Sequence, residues 1–203
     1  MNLLDIRNLS IELVSDNQRI LAVDKVSLSM KEGEVRGLVG ESGSGKSLLA
    51  QAIVGVLDDK WHVHADRFHW RGIDLLRLTI PERKALLSRD IAMIFQEPMA
   101  CLDPTTTIEN QLAEAIDTSA FTGFFWQKRQ QRHAAAIRLL HKVGIKRHTI
   151  CLKSYPHQLT EALCQRVMIA IALARKPILL IADEPTAAME NTNQGQQLEV
   201  SNS

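Results

Sequence analysis

The chain has 203 residues, 45% of them apolar, with 24 Lys and Arg against 23 Asp and Glu. A chain of this size buries one good core with room for an attached subdomain, and it is too apolar for disorder. The near-neutral balance supplies no general attraction to nucleic acid, so no nucleic-acid partner is expected.

The opening "MNLLDIRNLS" lacks the basic start and long apolar run of a secretory signal, and no window has the apolar length of a membrane span. Any membrane association is therefore expected to go through a partner. "LLDIRNLSIEL" and "RILAVDKVSLSM" alternate in polarity on either side of the turn-like "VSDNQ", which predicts an antiparallel hairpin. "EVRGLVG" then reads as a short apolar strand. It feeds into "ESGSGKSLLAQAIVGVL", whose second half has helical periodicity.

"WHVHADRFHW" places His62 and His64 on one face if it is a strand, but two imidazoles without a third ligand do not make a metal site. An ordinary half-exposed strand is expected there. "RFHWRGIDLLRL" can add to the hairpin layer, and "IAMIF", Ile91 to Phe95, reads as a buried strand.

From Thr107 to Gly144 the patterns are helical, through "TIENQLAEAI" and "QKRQQRHAAAIRLLHKVG". Between them, "FTGFFWQKRQQR" sets Phe121, Phe124, Phe125 and Trp126 beside a basic run. These aromatics are expected in the core of the helical insert; the alternative is a groove for a short helix of a membrane-spanning partner. "QLTEALCQRVMIAIALA" reads as an amphipathic helix packing through Val167, Ile169, Ile171 and Leu173. "PILLIADEPT" reads as a central parallel strand buried on both faces. The three cysteines, Cys101, Cys151 and Cys164, fit neither a disulfide framework nor a zinc pattern and suggest a reducing, cytosolic setting.

The strongest chemical signal is "GESGSGKS", Gly40 to Ser47, which fits G-x-x-x-x-G-K-[ST]. Its small residues let successive backbone N–H groups of Gly40, Glu41, Ser42, Gly43, Ser44, Gly45, Lys46, Ser47 and Leu48 approach phosphate oxygens. The helix that begins there points its positive end at the same anion. Lys46 is expected to reach the β- and γ-phosphates of ATP and Ser47 to ligate Mg²⁺. A chance glycine-rich turn would lack the strand before it and the helix after it. In "LLIADEP", Asp183 is placed to hold Mg²⁺ through water, and Glu184 to orient or deprotonate an attacking water. By itself the pair could be a solvated acidic turn; downstream of a phosphate loop, the catalytic reading is preferred.

The phosphate loop, the glutamine of "IFQEPMACLDP", the "LTEALCQRV" helix and the "LLIADEP" strand stand in the order and rough spacing of the ATP-binding subunits of ABC transporters, which the chain resembles over nearly its whole length. "GLVGESGSGKS", "MIFQEPMACLDP" and "HKVGI" are similar to the oligopeptide and dipeptide importer branch. The resemblance implies an α/β P-loop NTPase: a RecA-like parallel sheet core, an N-terminal antiparallel β subdomain and a helical insert, incomplete at the C-terminus. It divides the chain into a β subdomain with phosphate loop at about 1–95, a helical subdomain at about 96–175, an acidic strand and following loop at 176–190 and a polar tail at 191–203.

The resemblance also makes Gln96 the residue that contacts Mg²⁺ or the attacking water. It implies an ATPase on the cytoplasmic face of a bacterial inner membrane. Its partners would be transmembrane permease subunits, a second and different ATP-binding subunit and, indirectly, a periplasmic peptide-binding protein. The cargo implied is peptides, including antimicrobial ones.

The chain departs from that family at three places. The position of the aromatic residue that stacks on adenine holds Leu13. The segment normally reading Leu-Ser-Gly-Gly-Gln reads Leu159-Thr160-Glu161-Ala162-Leu163, which caps a helix but puts a carboxylate in its first turn and lacks both glycines. "TAAME" has Met189 and Glu190 in place of Leu and Asp, and "NTNQGQQLEVSNS" supplies neither the further strands nor the γ-phosphate-sensing histidine. The expectation is the first two-thirds of an ATPase domain, binding nucleotide weakly and hydrolysing it poorly by itself. The alternatives are a non-hydrolysing remnant of such a subunit and a soluble ABC-type ATPase acting on nucleic acid.

Overall fold

The computed structural model describes residues 2–15, 18–119 and 121–183. They fall into two compact units that divide between Ser88 and Arg89.

The first unit is built on a long antiparallel pair, β1 (Asn2–Ser15) and β2 (Gln18–Lys31), whose pairing runs from Asn2↔Lys31 to Ser15↔Gln18. β1 also pairs with β3 (Trp61–His64) and β4 (Arg67–Trp70), and β4 pairs with β5 (Ile73–Asp74). The hairpin and the added strands thus form as the alternation suggests, although the β1–β2 register shifts at four places and the burial phase of β1 reverses across one of them. Leu4 and Ile6 are buried at even positions, but Leu9 and Ile11 at odd ones. The phase changes at Asn8, whose φ of 48° is left-handed, across a register shift between Ile6 and Leu9; Lys25 on β2 has φ 47°. Each irregularity is tied to the facing strand, since Asn8 N–H donates to Ser27 Oγ and Lys25 N–H to Ser10 Oγ, both at 3.0 Å. Such bulges insert a residue and re-aim those that follow, so both halves of β1 keep an apolar face inward. In β3, His62 and His64 share the exposed face of a half-exposed strand.

α1 (Lys46–Val54) buries Leu49, Ala52 and Ile53 and ends at Gly55, whose N–H returns to Gln51 O from a φ of 80°. α2 spans Ile80–Asp90. One expectation fails: "EVRGLVG" forms no strand among the described residues, and Val35 and Val39 are 98% and 95% exposed. The run has the composition of a buried strand, but a strand is held by ladder bonds to neighbours, and no described strand supplies them here.

The second unit contains β6 (Ile91–Ile94) and β7 (Leu179–Ala182), a parallel pair in register from Ile91↔Leu179 to Ile94↔Ala182. Phe95 lies just past β6, and β7 is not buried on both faces: Leu179 is buried, whereas Leu180 is 41% exposed. With one described ladder partner, its alternate side chains face outward.

Between these strands come α3 (Pro98–Cys101), α4 (Ile108–Ala115), α5 (Phe125–Lys142), α6 (His148–Lys153) and α7 (Glu161–Ala174). Their core gathers Ile108 and Leu112 of α4, Ala136 and Leu140 of α5, Leu152 of α6, and Cys164, Val167 and Ala170 of α7. α5 stops at a turn whose Gly144 has φ 76°. Of the four side chains expected to pack α7, Val167 is fully buried and Ile169, Ile171 and Leu173 partly so. Cys164, Val167 and Met168 form the buried row, because a helix repeats at three and four residues and not at two.

The aromatic cluster is also not core. Phe121 packs against the helical core, but Phe124, Phe125 and Trp126 are 69%, 80% and 67% exposed. They sit in the first turn of α5, whose buried residues, Ala136 and Leu140, lie three to four turns further along.

Candidate nucleotide site

Gly40–Ser47 forms a loop that turns directly into α1. Two of its glycines hold left-handed backbone, Gly43 at φ 78° and Gly45 at φ 85°. Gly45 also fills a place with no room for a side chain, since a Cβ there would lie 2.7 Å from Val23 Cγ2 and 3.0 Å from Ala22 O. Ala22 and Val23 of β2 are thus the floor that fixes the loop on the sheet. This contact was not legible in the sequence, where the two residues lie more than twenty positions upstream. Gly40 is tight for another reason: a Cβ would come within 2.9 Å of Ser44 Oγ.

Lys46 folds its ammonium back over the loop, donating to Gly40 O at 2.9 Å, Glu41 O at 2.7 Å and Ser44 Oγ at 3.4 Å. The loop is closed on itself by Ser44 N–H to Glu41 O at 3.2 Å. The Lys46 charge is therefore held at the mouth of the loop by neutral oxygens, weaker partners than the oxygens of a phosphate. Ser47 stands exposed and Leu48 half-buried in the first turn of α1, at the positive end of the helix.

In the second unit, Gln96 and Asp183 come together at one edge. Asp183 N–H donates to Ile94 O at 2.9 Å, so Asp183 directly follows β7, and Gln96 lies two residues beyond the end of β6. Gln96 is exposed and Asp183 half-buried. Both lie at the carboxyl ends of parallel strands, where open α/β sheets bind ligands. Glu184, Met189 and Glu190 lie outside the described residues.

In the first unit Ser47 offers a hydroxyl, and in the second Gln96 and Asp183 offer an amide carbonyl and a carboxylate; each is a hard oxygen donor of the kind Mg²⁺ takes. No group of three or more His, Cys, Asp or Glu able to hold a metal occurs among the described residues. An ion bound through one carboxylate, water and substrate phosphates requires none.

α7 begins as the sequence suggests, with Thr160 Oγ1 accepting from Leu163 N–H at 3.3 Å. Glu161 is exposed in the first turn. Burial pushes the Cys164 thiol above its usual range, and the Glu161 carboxylate adds to the rise, so its negative charge is felt one turn into the helix. Leu13, on β1, is half-buried between its cross-strand partners Ile20 and Trp61.

Residues 23–187 match the family described as ABC transporter. The chain belongs to this family, and its fold is that of the family's ATP-binding cassette, a P-loop NTPase with an antiparallel N-terminal sheet. It is 55% identical over 196 residues to the peptide transport system ATP-binding protein SapD of Escherichia coli, covering 97% of this chain and 59% of that protein. It is 50% identical over 192 residues to SapD of Haemophilus influenzae (95% and 55%). With the dipeptide transport ATP-binding protein DppD of Escherichia coli it shares 45% over 200 residues (98% and 60%). The chain thus spans less than two thirds of the length of these relatives. Among solved structures, the ATP-binding cassette MJ0796 in a dimeric post-hydrolysis state, bound to ADP and Pi, superposes with a TM-score of 0.73 at 24% identity, covering 97% of this chain and 80% of that one. No helix among the described residues is long and apolar enough to cross a membrane.

Proposed function

We propose that this chain is the ATP-binding and ATP-hydrolysing part of a subunit that powers a bacterial inner-membrane peptide transporter of the SapD kind. The observation that carries the reading is the phosphate loop, seated on β2 through Gly45 with the Lys46 ammonium held over its mouth. Lys46 exchanges its loop carbonyls for β- and γ-phosphate oxygens, and the backbone N–H groups from Gly40 to Leu48 take the rest. Ser47 from the first unit and Asp183 and Gln96 from the second would hold Mg²⁺, which would supply neutralising charge to the phosphates. Glu184 takes a proton from the attacking water as the water oxygen bonds to the γ-phosphorus and the bond to the bridging β-γ oxygen breaks, releasing ADP.

The substituted segment Thr160–Leu163 supports pairing with a different ATP-binding subunit. A carboxylate in the first turn of α7 satisfies the helix dipole and repels phosphate, so a competent partner segment has to come from another chain. The complex sits peripherally on the cytoplasmic face, on permease subunits, with a periplasmic binding protein selecting peptide. The domain division at about 95, 175 and 190 belongs to the same reading.

The test is recovery of the full-length subunit from its source cells. Copurification with permease subunits and peptide-stimulated ATP hydrolysis support the proposal. Copurification with RNA that nuclease releases, or a homodimer with two equally active sites, contradicts it.

A further inference from the structure

The first two turns of α5 have no buried residue, yet the turn that starts them is firmly built. Gln127 Oε1 accepts from Phe124 N–H at 2.8 Å and Gln131 Nε2 donates to Thr122 O at 3.0 Å, pinning both sides of the entry. Gly123 (φ 99°) leaves the space Gln127 occupies, since a Cβ there would run into the Gln127 side chain. What this turn presents to solvent is Phe124, Phe125 and Trp126, with the rings of Phe124 and Trp126 stacked at 5.2 Å. Three exposed aromatics held in place without a core to join are out of keeping with an ordinary helix end.

Beside them stand Lys128, Arg129 and Arg132, and the 18-residue helix contains no acidic residue. The Nε of Arg132 is buried without an acceptor among the described residues. In the groove between α4 and α5, the Glu109 carboxylate is engaged by His133 Nδ1 at 2.8 Å. The patch is thus cationic and aromatic together, in a chain whose net charge is only +1.

We infer that the amino-terminal turns of α5 form a membrane-surface contact, in which Phe124, Phe125 and Trp126 enter the interfacial region of an anionic bilayer and Lys128, Arg129 and Arg132 meet lipid phosphates. Trp and Phe favour the headgroup boundary, and basic side chains add electrostatic attraction to acidic lipid. Charge complementarity commits the surface to a bilayer. A groove for an apolar helix would not need three cations at its edge. The inference rests on the reading of the chain as a membrane-transport subunit, which brings a bilayer within reach.

The experiment is cosedimentation of the 203-residue chain with vesicles of phosphatidylcholine alone, or with about a third phosphatidylglycerol, alongside nucleotide binding on the same samples. The expected result is binding to the anionic vesicles that weakens with salt. K128Q/R129Q lowers the partition coefficient roughly 25-fold, about five-fold per cation, and F124S/F125S/W126S abolishes binding. Both variants keep native circular dichroism and nucleotide affinity. Equal binding to both vesicle types, or variants that bind like the parent chain, overturns the inference. So does binding only to vesicles carrying permease subunits, which makes the patch a protein contact. Loss of nucleotide binding by the parent chain instead contradicts the function proposed above.

Discussion

Asp183 N–H donates to the carbonyl of Ile94 at 2.9 Å, closing the parallel ladder of β6 and β7 one residue beyond its last pair. The backbone bond therefore fixes where this carboxylate stands, at the carboxyl end of β7. Asp183→Asn keeps that bond and should shift unfolding by less than about 0.5 kcal/mol. It should weaken Mg²⁺ affinity, and so raise the Mg²⁺ concentration needed for half-maximal nucleotide binding, by about 10- to 100-fold, as loss of a carboxylate acting through water does. Magnesium titrations of nucleotide binding, with chemical denaturation alongside, separate the two effects.

Gly43 and Gly45 share a left-handed backbone but not their surroundings. Gly43→Ala meets no atom within 4 Å and should cost about 1 kcal/mol of stability from its backbone alone. Gly45→Ala adds the collision with Ala22 O and Val23 Cγ2, and should cost about 2 kcal/mol or more and displace the phosphate loop. Denaturant unfolding of the two variants side by side checks the order.

Thr160→Ala removes the acceptor for Leu163 N–H and should destabilise the chain by about 1 kcal/mol. Glu161→Gly removes the carboxylate and restores glycine at one of the two missing positions. In a reconstituted complex it should raise hydrolysis at the partner's site, measured as ATP turnover.

Cys151, buried and pushed up to about 11, and Cys164, raised by burial and by Glu161, should react slowly with thiol reagents near neutrality. Exposed Cys101 should be labelled first, and the other two only on unfolding. Linkage gives a sign as well. The unfolded state releases the Cys151 proton near the ordinary thiol pKa of about 8.5, while the native state keeps it until about 11. Stability should fall as pH rises through that window, which denaturation at successive pH values would show.

What the sequence disclosed was mainly what is local. The phosphate loop, the α5 and α7 helices and the Thr160 cap depend on residues a few positions apart. The strands were legible where alternation was clean, but the bulge at Asn8 and Lys25, which switches β1 from even to odd burial, depends on a facing strand and leaves little trace in composition. "EVRGLVG" and the outer face of β7 were over-read for a related reason, because apolar content records fitness for burial and not the neighbours that provide it. Phe124, Phe125 and Trp126 misled in the same way. Nothing in "FTGFFWQ" says that the turn ends before the core begins. The phosphate-loop motif from Gly40 to Ser47 could be picked out in the sequence, while Ala22 and Val23 beneath Gly45 emerged only with the fold.

The most direct test is titration of the chain with a fluorescent ATP analogue in Mg²⁺, set against Lys46→Ala. The account predicts saturable binding that excess ATP displaces, and an affinity about 10- to 100-fold lower in the variant, the cost of removing a hydrogen-bonding charge. Equal affinity in the two proteins, or binding indifferent to ATP, would contradict it.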